Sequence, residues 1–315
     1  MFGFKASLLA VASAASALAL LGAPAAGEEN LPARKDVVRI GLVHSLFRDT
    51  PDVMVQVIME PFSALMESQT GIKGQLVMAG DAMDLAQRLK EDKLQLGVFH
   101  GVEFGWAQQK YPELRPLMLA VNKQQALHAY LVVRDDSDAA GFTDLRQRSL
   151  AVPRRSREHC HLFLHRCCRE HGSDSKRYFT QITTPPGVET ALDDLLRGKV
   201  QACLVDSIGL ESYKREKPGC FARLKIVKVS EAFPAAVVAY APGILDESTL
   251  RKFREGMAKA NETAIGRQML AGCRLTGFDP VPDGYQKLVD EIIKVYPAPA
   301  PAKSEQPAQR TSKAN

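Results

Sequence analysis

The chain has 315 residues, 45% of them hydrophobic and 24% charged, and 41 Lys and Arg against 36 Asp and Glu give a formal net charge of +5. That is an ordinary globular composition, long enough for two modest domains or one large one. So mild a basic excess, with no polybasic arm, excludes nucleic acid as a partner. Residues 1–26 read as a signal peptide: Lys5 supplies the positive start, 6–21 is an Ala/Leu-rich run, and Ala23 and Ala25 form an A-x-A site for cleavage near 25–27. No Cys stands near that site to carry a lipid anchor, and no later stretch is long and apolar enough to span a membrane.

From residue 36 the pattern alternates. A buried strand is predicted over 36–44, and a helix over 51–69, where Val53, Val57, Ile58, Phe62, Leu65 and Met66 share a side. Strands follow at 74–78, 94–99, 114–121 and 128–134, with helices at 82–90 and 102–110 between them. After Asp135 the pattern repeats: a short helix at 142–146, a strand at 149–152, a helix from about 157 to 169 that stops near Gly172, and a strand at 178–183. A helix at 187–196 ends before Gly198, a strand at 200–205 runs into Asp206, and a helix covers 208–215. Strands at 224–229 and 235–240 and helices at 247–270 and 284–296 close the fold. Residues 297–315, Pro/Ala-rich and polar, read as a disordered tail.

Strands alternating with helices imply an α/β fold whose sheets are mostly parallel and flanked by helices. Two units result, the second inserted in the first: 36–130 with 225–296, and 131–224. Such units enclose a cleft, with strand ends and helix starts facing it.

The densest chemistry lies in 150–161, Leu-Ala-Val-Pro-Arg-Arg-Ser-Arg-Glu-His-Cys-His. Arg154, Arg155 and Arg157 crowd a helix start that already carries partial positive charge. One reading is a solvated basic turn with Ser156 as N-cap. The other is a small-oxyanion site held by backbone N–H groups, Ser156 and at least one arginine. Downstream, His161, His165 and Cys168 share a helix face, which leaves open metal ligation, a disulfide through Cys160, Cys167 or Cys168, or plain packing. His44, Ser45 and His100 end strands where a cleft would lie, Glu103 is a candidate partner for a cationic group, and Asp206 either lines the cleft or caps the next helix. No nucleophile elbow, zinc-protease or phosphate-loop motif is present, so neither an enzyme nor a cofactor is indicated.

Several ordered segments resemble the phosphate, phosphite and phosphonate-type solute-binding proteins of ABC transporters. Ile-Gly-Leu-Val at 40–43 comes first. Lys93-Leu-Gln-Leu-Gly-Val-Phe-His-Gly-Val-Glu-Phe104 is similar to that family's D-V-A-x-x-G-P-x-x-Y. Tyr130-Leu-Val-Val-Arg-Asp-Asp-Ser137, Gly198-Lys-Val-Gln-Ala-Cys-Leu-Val-Asp206 and Ser230-Glu-Ala-Phe-Pro234 follow in order. The resemblance implies a type II periplasmic-binding-protein fold and a periplasmic monomer that delivers a small anionic ligand to an ABC transporter permease. Its ligand residues would be Ser45, Glu103, Phe104, Arg155, Ser156, Arg157 and Asp206. The family's serine-rich anion loop, P-x-S-T-S-G, falls on 153–158, where Arg155 and Arg157 replace the flanking serines, and its tyrosine falls on Phe104. A sensor or adaptor of the same fold, or a metal or redox binder using 159–171, are the alternatives.

Overall fold

The computed structural model describes residues 37–299; the signal peptide and all but the first residues of the expected tail lie outside them. The chain begins with β1 (Val37–Leu42), a 3-10 turn (His44–Phe47), α1 (Asp52–Met59), α2 (Phe62–Thr70) and β2 (Lys73–Met78). Next come α3 (Ala82–Lys90), β3 (Leu96–Phe99), α4 (Gly101–Lys110), β4 (Arg115–Val121) and the short β5 (Ala126–Leu127). The middle segment holds β6 (Ala129–Arg134), β7 (Ser149–Ala151), α5 (Glu158–Glu170), α6 (Ser175–Tyr178), β8 (Gln181–Thr183) and α7 (Val188–Leu196). It continues through β9 (Ala202–Asp206), α8 (Ser207–Glu216), α9 (Pro218–Phe221) and β10 (Leu224–Val229). The return segment is β11 (Phe233–Pro234), β12 (Ala236–Tyr240), α10 (Glu247–Ala258), α11 (Ala264–Gly272), β13 (Gly277–Asp279) and α12 (Tyr285–Val295). No helix among the described residues is long and apolar enough to cross a membrane.

The first sheet has the order β13-β4-β12-β3-β1-β2 and the second β10-β6-β9-β7-β8. β1 pairs in parallel with β2 and β3, while β12 pairs antiparallel with β3 and β4. In the second sheet β7 is parallel to β8 and β9, and β6 is antiparallel to β9 and β10. Most strands of each sheet therefore point one way. The reversed ones are β6 and β12, by which the chain enters one sheet and returns to the other, and β13 at the edge of the first sheet, antiparallel to β4. A two-stranded ribbon of β5 and β11 joins the crossings. Each sheet is covered by apolar layers on both faces; one face of the first sheet packs Phe62, Leu65 and Met66 of α2 against Phe253 and Met257 of α10. At the junction Tyr296 closes the fold: its carbonyl accepts from the Trp106 indole N–H at 2.7 Å, and its hydroxyl donates to Glu231 at 2.6 Å. Arg166 of α5 pairs with the same Glu231.

Several expectations change. The return to the first unit expected at 225 falls inside β10, whose ladder with β6 keeps the chain in the second sheet until Val229. The helix expected over 51–69 breaks into α1 and α2 at Glu60–Pro61, where proline supplies no N–H and its ring crowds the preceding turn. The stretch 142–146 holds only a 3-10 turn, Thr143–Leu145. Tyr178 lies in α6 rather than in a strand, and its hydroxyl donates to the Phe142 carbonyl at 2.9 Å. The helix expected over 247–270 is two. The Thr263 hydroxyl accepts from the Gly266 N–H at 3.0 Å and starts α11 afresh. Gly266 is required there: a Cβ would stand 1.7 Å from the carbonyl oxygen of Ala260.

Helix propensity alone favours alanine over glycine by about 1 kcal/mol. The backbone contact reverses the sign, so Gly266→Ala is expected to destabilise the protein by about 2 kcal/mol, as overpacking does. Urea unfolding midpoints of the two proteins check this; a more stable variant would sink it.

Candidate functional site

The basic turn lies where β7 hands over to α5, at the junction of the two sheets. Arg155 has φ +62°, a left-handed conformation that a non-glycine residue adopts only under constraint. That twist turns its carbonyl outward to accept a hydrogen bond from Arg274, in the loop after α11. Ser156 is buried, and its hydroxyl donates to the Pro153 carbonyl at 2.6 Å. It is therefore not the N-cap. Arg157 takes the cap position without a side-chain cap bond, and α5 begins at Glu158.

The charges around this turn come from both sheets. Asp206, at the end of β9, is only 3% exposed; it accepts from the Gly209 N–H at 2.7 Å and so caps α8. Its other oxygen stands 3.8 Å from Arg157 Nε and 3.6 Å from Arg274 Nη2. Arg157 also donates to the Arg274 carbonyl at 2.8 Å. Burial, partly countered by Asp206, pulls the Arg157 guanidinium down from its usual range. Glu158, in the first turn of α5, accepts from Arg48 Nε at 2.9 Å, which ties the turn after β1 to the second sheet. Four arginines thus face two carboxylates: Arg48, Arg155, Arg157 and Arg274 against Glu158 and Asp206. Even so, the buried Nε atoms of Arg155 and Arg157 and the Nε2 of His100 have no hydrogen-bond partner.

All three residues line one continuous cavity of about 120 Å³, together with Ser45, Arg48 and Arg274. A second recess beside it is lined by Arg154, Pro186, Val188 and Asp206.

The other sequence candidates divide. Ser45 lines the cavity, and its hydroxyl lies 2.7 and 2.8 Å from the two carboxyl oxygens of Glu103. Glu103 is buried and also accepts from the His100 N–H at 3.4 Å, so it orders the start of α4 and reaches the cavity only through Ser45. Burial lifts its carboxyl above the usual range, against the opposing pull of His100 and the Ser45 hydroxyl. Phe104 is fully buried in the core of the first sheet beside Phe99 and does not line the cavity. Helical geometry puts it on the face of α4 turned to the sheet. Along α5, Cys168 is buried while His165 is exposed, and no group of His, Cys, Asp or Glu among the described residues could hold a metal. All six cysteines are free thiols. Sequence reasoning missed Arg48 and Arg274. Neither sits in a recognisable motif, and only the fold brings them to the turn.

Two helix-flanked sheets with a charged cavity at their junction define a type II periplasmic-binding-protein fold. The chain matches the family of periplasmic substrate-binding proteins of phosphonate ABC transporters over residues 48–284, and it belongs to that family. Among solved structures, a Xanthomonas citri protein with chloride bound is 16% identical with a TM-score of 0.56, covering 82% of this chain and 96% of its own. PhnD1 of Prochlorococcus marinus in complex with methylphosphonate is 12% identical with a TM-score of 0.55, covering 82% and 98%. A phosphonate-transporter binding protein of Pseudomonas aeruginosa is 15% identical with a TM-score of 0.51, covering 82% and 85%. No protein of curated function matches the sequence.

His159 gives the site a pH signature. It is buried against Phe233, and burial drives its pKa far below the ordinary 6.5, so the folded protein keeps it neutral. The unfolded chain takes up that proton below about pH 6.5 and the folded chain does not, so stability falls as pH drops through this range. Between pH 7.5 and 5.5 the loss from this one group is about 1.4 kcal/mol. His159→Gln is expected to lose that much less over the same interval. Urea midpoints at the two pH values test it, and parallel losses in the two proteins would refute it.

Proposed function

We propose that the protein captures a small oxyanion of the phosphate, phosphite or phosphonate type, as a monomer in the periplasm, and presents it to an ABC transporter permease. The observation that carries this reading is the pair of buried Nε–H donors of Arg155 and Arg157 that make no hydrogen bond, in a cavity where arginines outnumber carboxylates. A buried donor left unpaired costs about 1–3 kcal/mol, and a bound oxyanion relieves that cost. Guanidinium groups supply both charge and forked geometry, and the first N–H groups of α5 add partial positive charge. In this reading Arg155 and Arg157 replace hydroxyl donors, Ser45 and Arg48 face them from the first sheet, and Ser156 shapes the turn. Asp206 holds Arg157 and Arg274 in place rather than touching the anion. Glu103 and Phe104 support the wall from behind. Export follows from the signal peptide read in the sequence.

Binding rather than catalysis is our reading of Ser156 and His159, three residues apart at the start of α5. The Ser156 hydroxyl proton is committed to the Pro153 carbonyl, and the Nε2 of His159 has no hydrogen-bond partner, so His159 does not activate Ser156.

Isothermal titration with phosphate, phosphite, methylphosphonate and sulfate tests the reading. At least one is expected to bind, and Arg155→Met is expected to weaken that binding tenfold or more, the value of a charge-assisted hydrogen bond. Arg169→Met, on the exposed end of α5, removes an equal charge as control and should leave affinity within twofold. No heat and no thermal shift with any of the four would end the proposal.

A further inference from the structure

Four strands end the two large sheets, and three of them are protected. β8 and β13 are only three residues long, too short to template a neighbour. β10 carries a bulge between Ile226 and Lys228 and two lysines, Lys225 and Lys228. β2 lacks these devices. Its register with β1 runs unbroken over all six residues, it has no proline, and its single lysine stands at the first position. The hydrogen bonds of β1 identify the free backbone groups of β2. The Arg39 carbonyl turns toward β3 and accepts from the Gln95 N–H at 2.9 Å, while the Leu42 carbonyl turns toward β2 and accepts from the Ala79 N–H at 2.9 Å. The parallel ladder therefore takes the groups of Gln75 and Val77 inward and leaves the N–H and C=O of Gly74, Leu76 and Met78 pointing away from β1. Among the described residues no hydrogen bond reaches them.

That edge opens on a groove of about 1100 Å³ between β2 and helices α1 and α2, and Gly74, Leu76 and Met78 all line it. Val55 and Met59 of α1 supply apolar wall. Asp52, Glu60 and Glu67 also line it; all three are exposed, and none has an ion pair among the described residues. One lysine, Lys73, stands against these three carboxylates. On the neighbouring face of α1, Val53 and Val57 are 70% and 57% exposed, so apolar surface continues past the groove. We propose that β2 is a docking edge for an extended, basic segment of a partner protein, which adds to the first sheet as a further strand. Its backbone would pair with Gly74, Leu76 and Met78, its apolar side chains would meet Val55 and Met59, and its lysines or arginines would meet the carboxylates. In strand addition the backbone bonds give affinity and the alternate side chains give specificity. A second copy of this chain fits less well, because it would bring the same carboxylates together. The groove shares Phe47, Thr50 and Leu76 with the arginine-lined cavity, but the proposal does not depend on what that cavity holds.

The probe is a short fluorescein-labelled peptide alternating valine with lysine, titrated into the purified protein and followed by fluorescence anisotropy. The same peptide with alternate amides N-methylated cannot pair with β2 and is expected to bind about tenfold more weakly or worse. Glutamate in place of lysine is expected to abolish binding, and added salt to weaken it. Glu60→Lys combined with Glu67→Lys, both at exposed positions, is expected to weaken the lysine peptide about tenfold. Met78→Pro, which removes one outward N–H, is expected to weaken it about fivefold. Thermal unfolding checks that both variants are folded. Bound peptide is expected to slow amide hydrogen exchange within residues 73–78. No binding, equal binding by the N-methylated peptide, or unchanged exchange at 73–78 overturns the proposal. So does a protein that is dimeric in solution and becomes monomeric with Met78→Pro, since a second copy then covers the edge.

Discussion

Everything at the junction depends on the carboxylate of Asp206. A buried arginine is expensive unless a negative charge and hydrogen bonds accompany it, and here Arg157 and Arg274 both lean on this one acid. Asp206 is itself fixed at the end of a fully buried strand and by the N–H of Gly209 at the start of α8. Because it belongs to the second sheet and Arg274 to the first, one carboxylate both neutralises the basic turn and holds the two sheets in register around it. The second tie, Arg48 with Glu158, crosses the same gap from the other side. A charge network that spans two bodies is a natural element for closure, since any change in the charge between them alters how firmly they hold.

The arginines also change what the site can recognise. Hydroxyl and backbone donors suit a small anion enclosed on all sides. Guanidinium groups are long, planar and always charged, so they bind an acidic head from one side and leave the other open.

The architecture was largely legible in the sequence, because hydrophobic periodicity reports which face each element buries. The strand ending at Asp206, the helix after the arginine turn and the order of the family's segments all lie within a residue or two of their predicted places. The errors fall at breaks. A proline at 61 and a glycine at 266 divide two long amphipathic patterns that periodicity alone joins. The β10 ladder keeps the chain in the second sheet five residues longer than the pattern suggested, since a strand's sequence does not say which sheet it joins. For the site, Arg155, Arg157, Asp206 and Ser45 were readable as candidates from their positions at element ends. Phe104 was not, because an aromatic residue two turns of reasoning from the cleft looks the same whether it faces ligand or core.

What the sequence by itself determined is the concentration of positive charge at the start of one helix, the acidic end of a neighbouring strand, and the α/β alternation that brings such ends together. These are local properties, set by residue type and spacing. What only the tertiary structure decided is which charges meet. Arg48 and Arg274 lie 107 residues before and 119 residues after Arg155 in the chain, and no local pattern marks them. Nor could spacing reveal that a cavity lies beside the arginines, because a cavity is made of the gaps between side chains from six or more elements. Gaps are a property of packing, and packing exists only once the chain has folded.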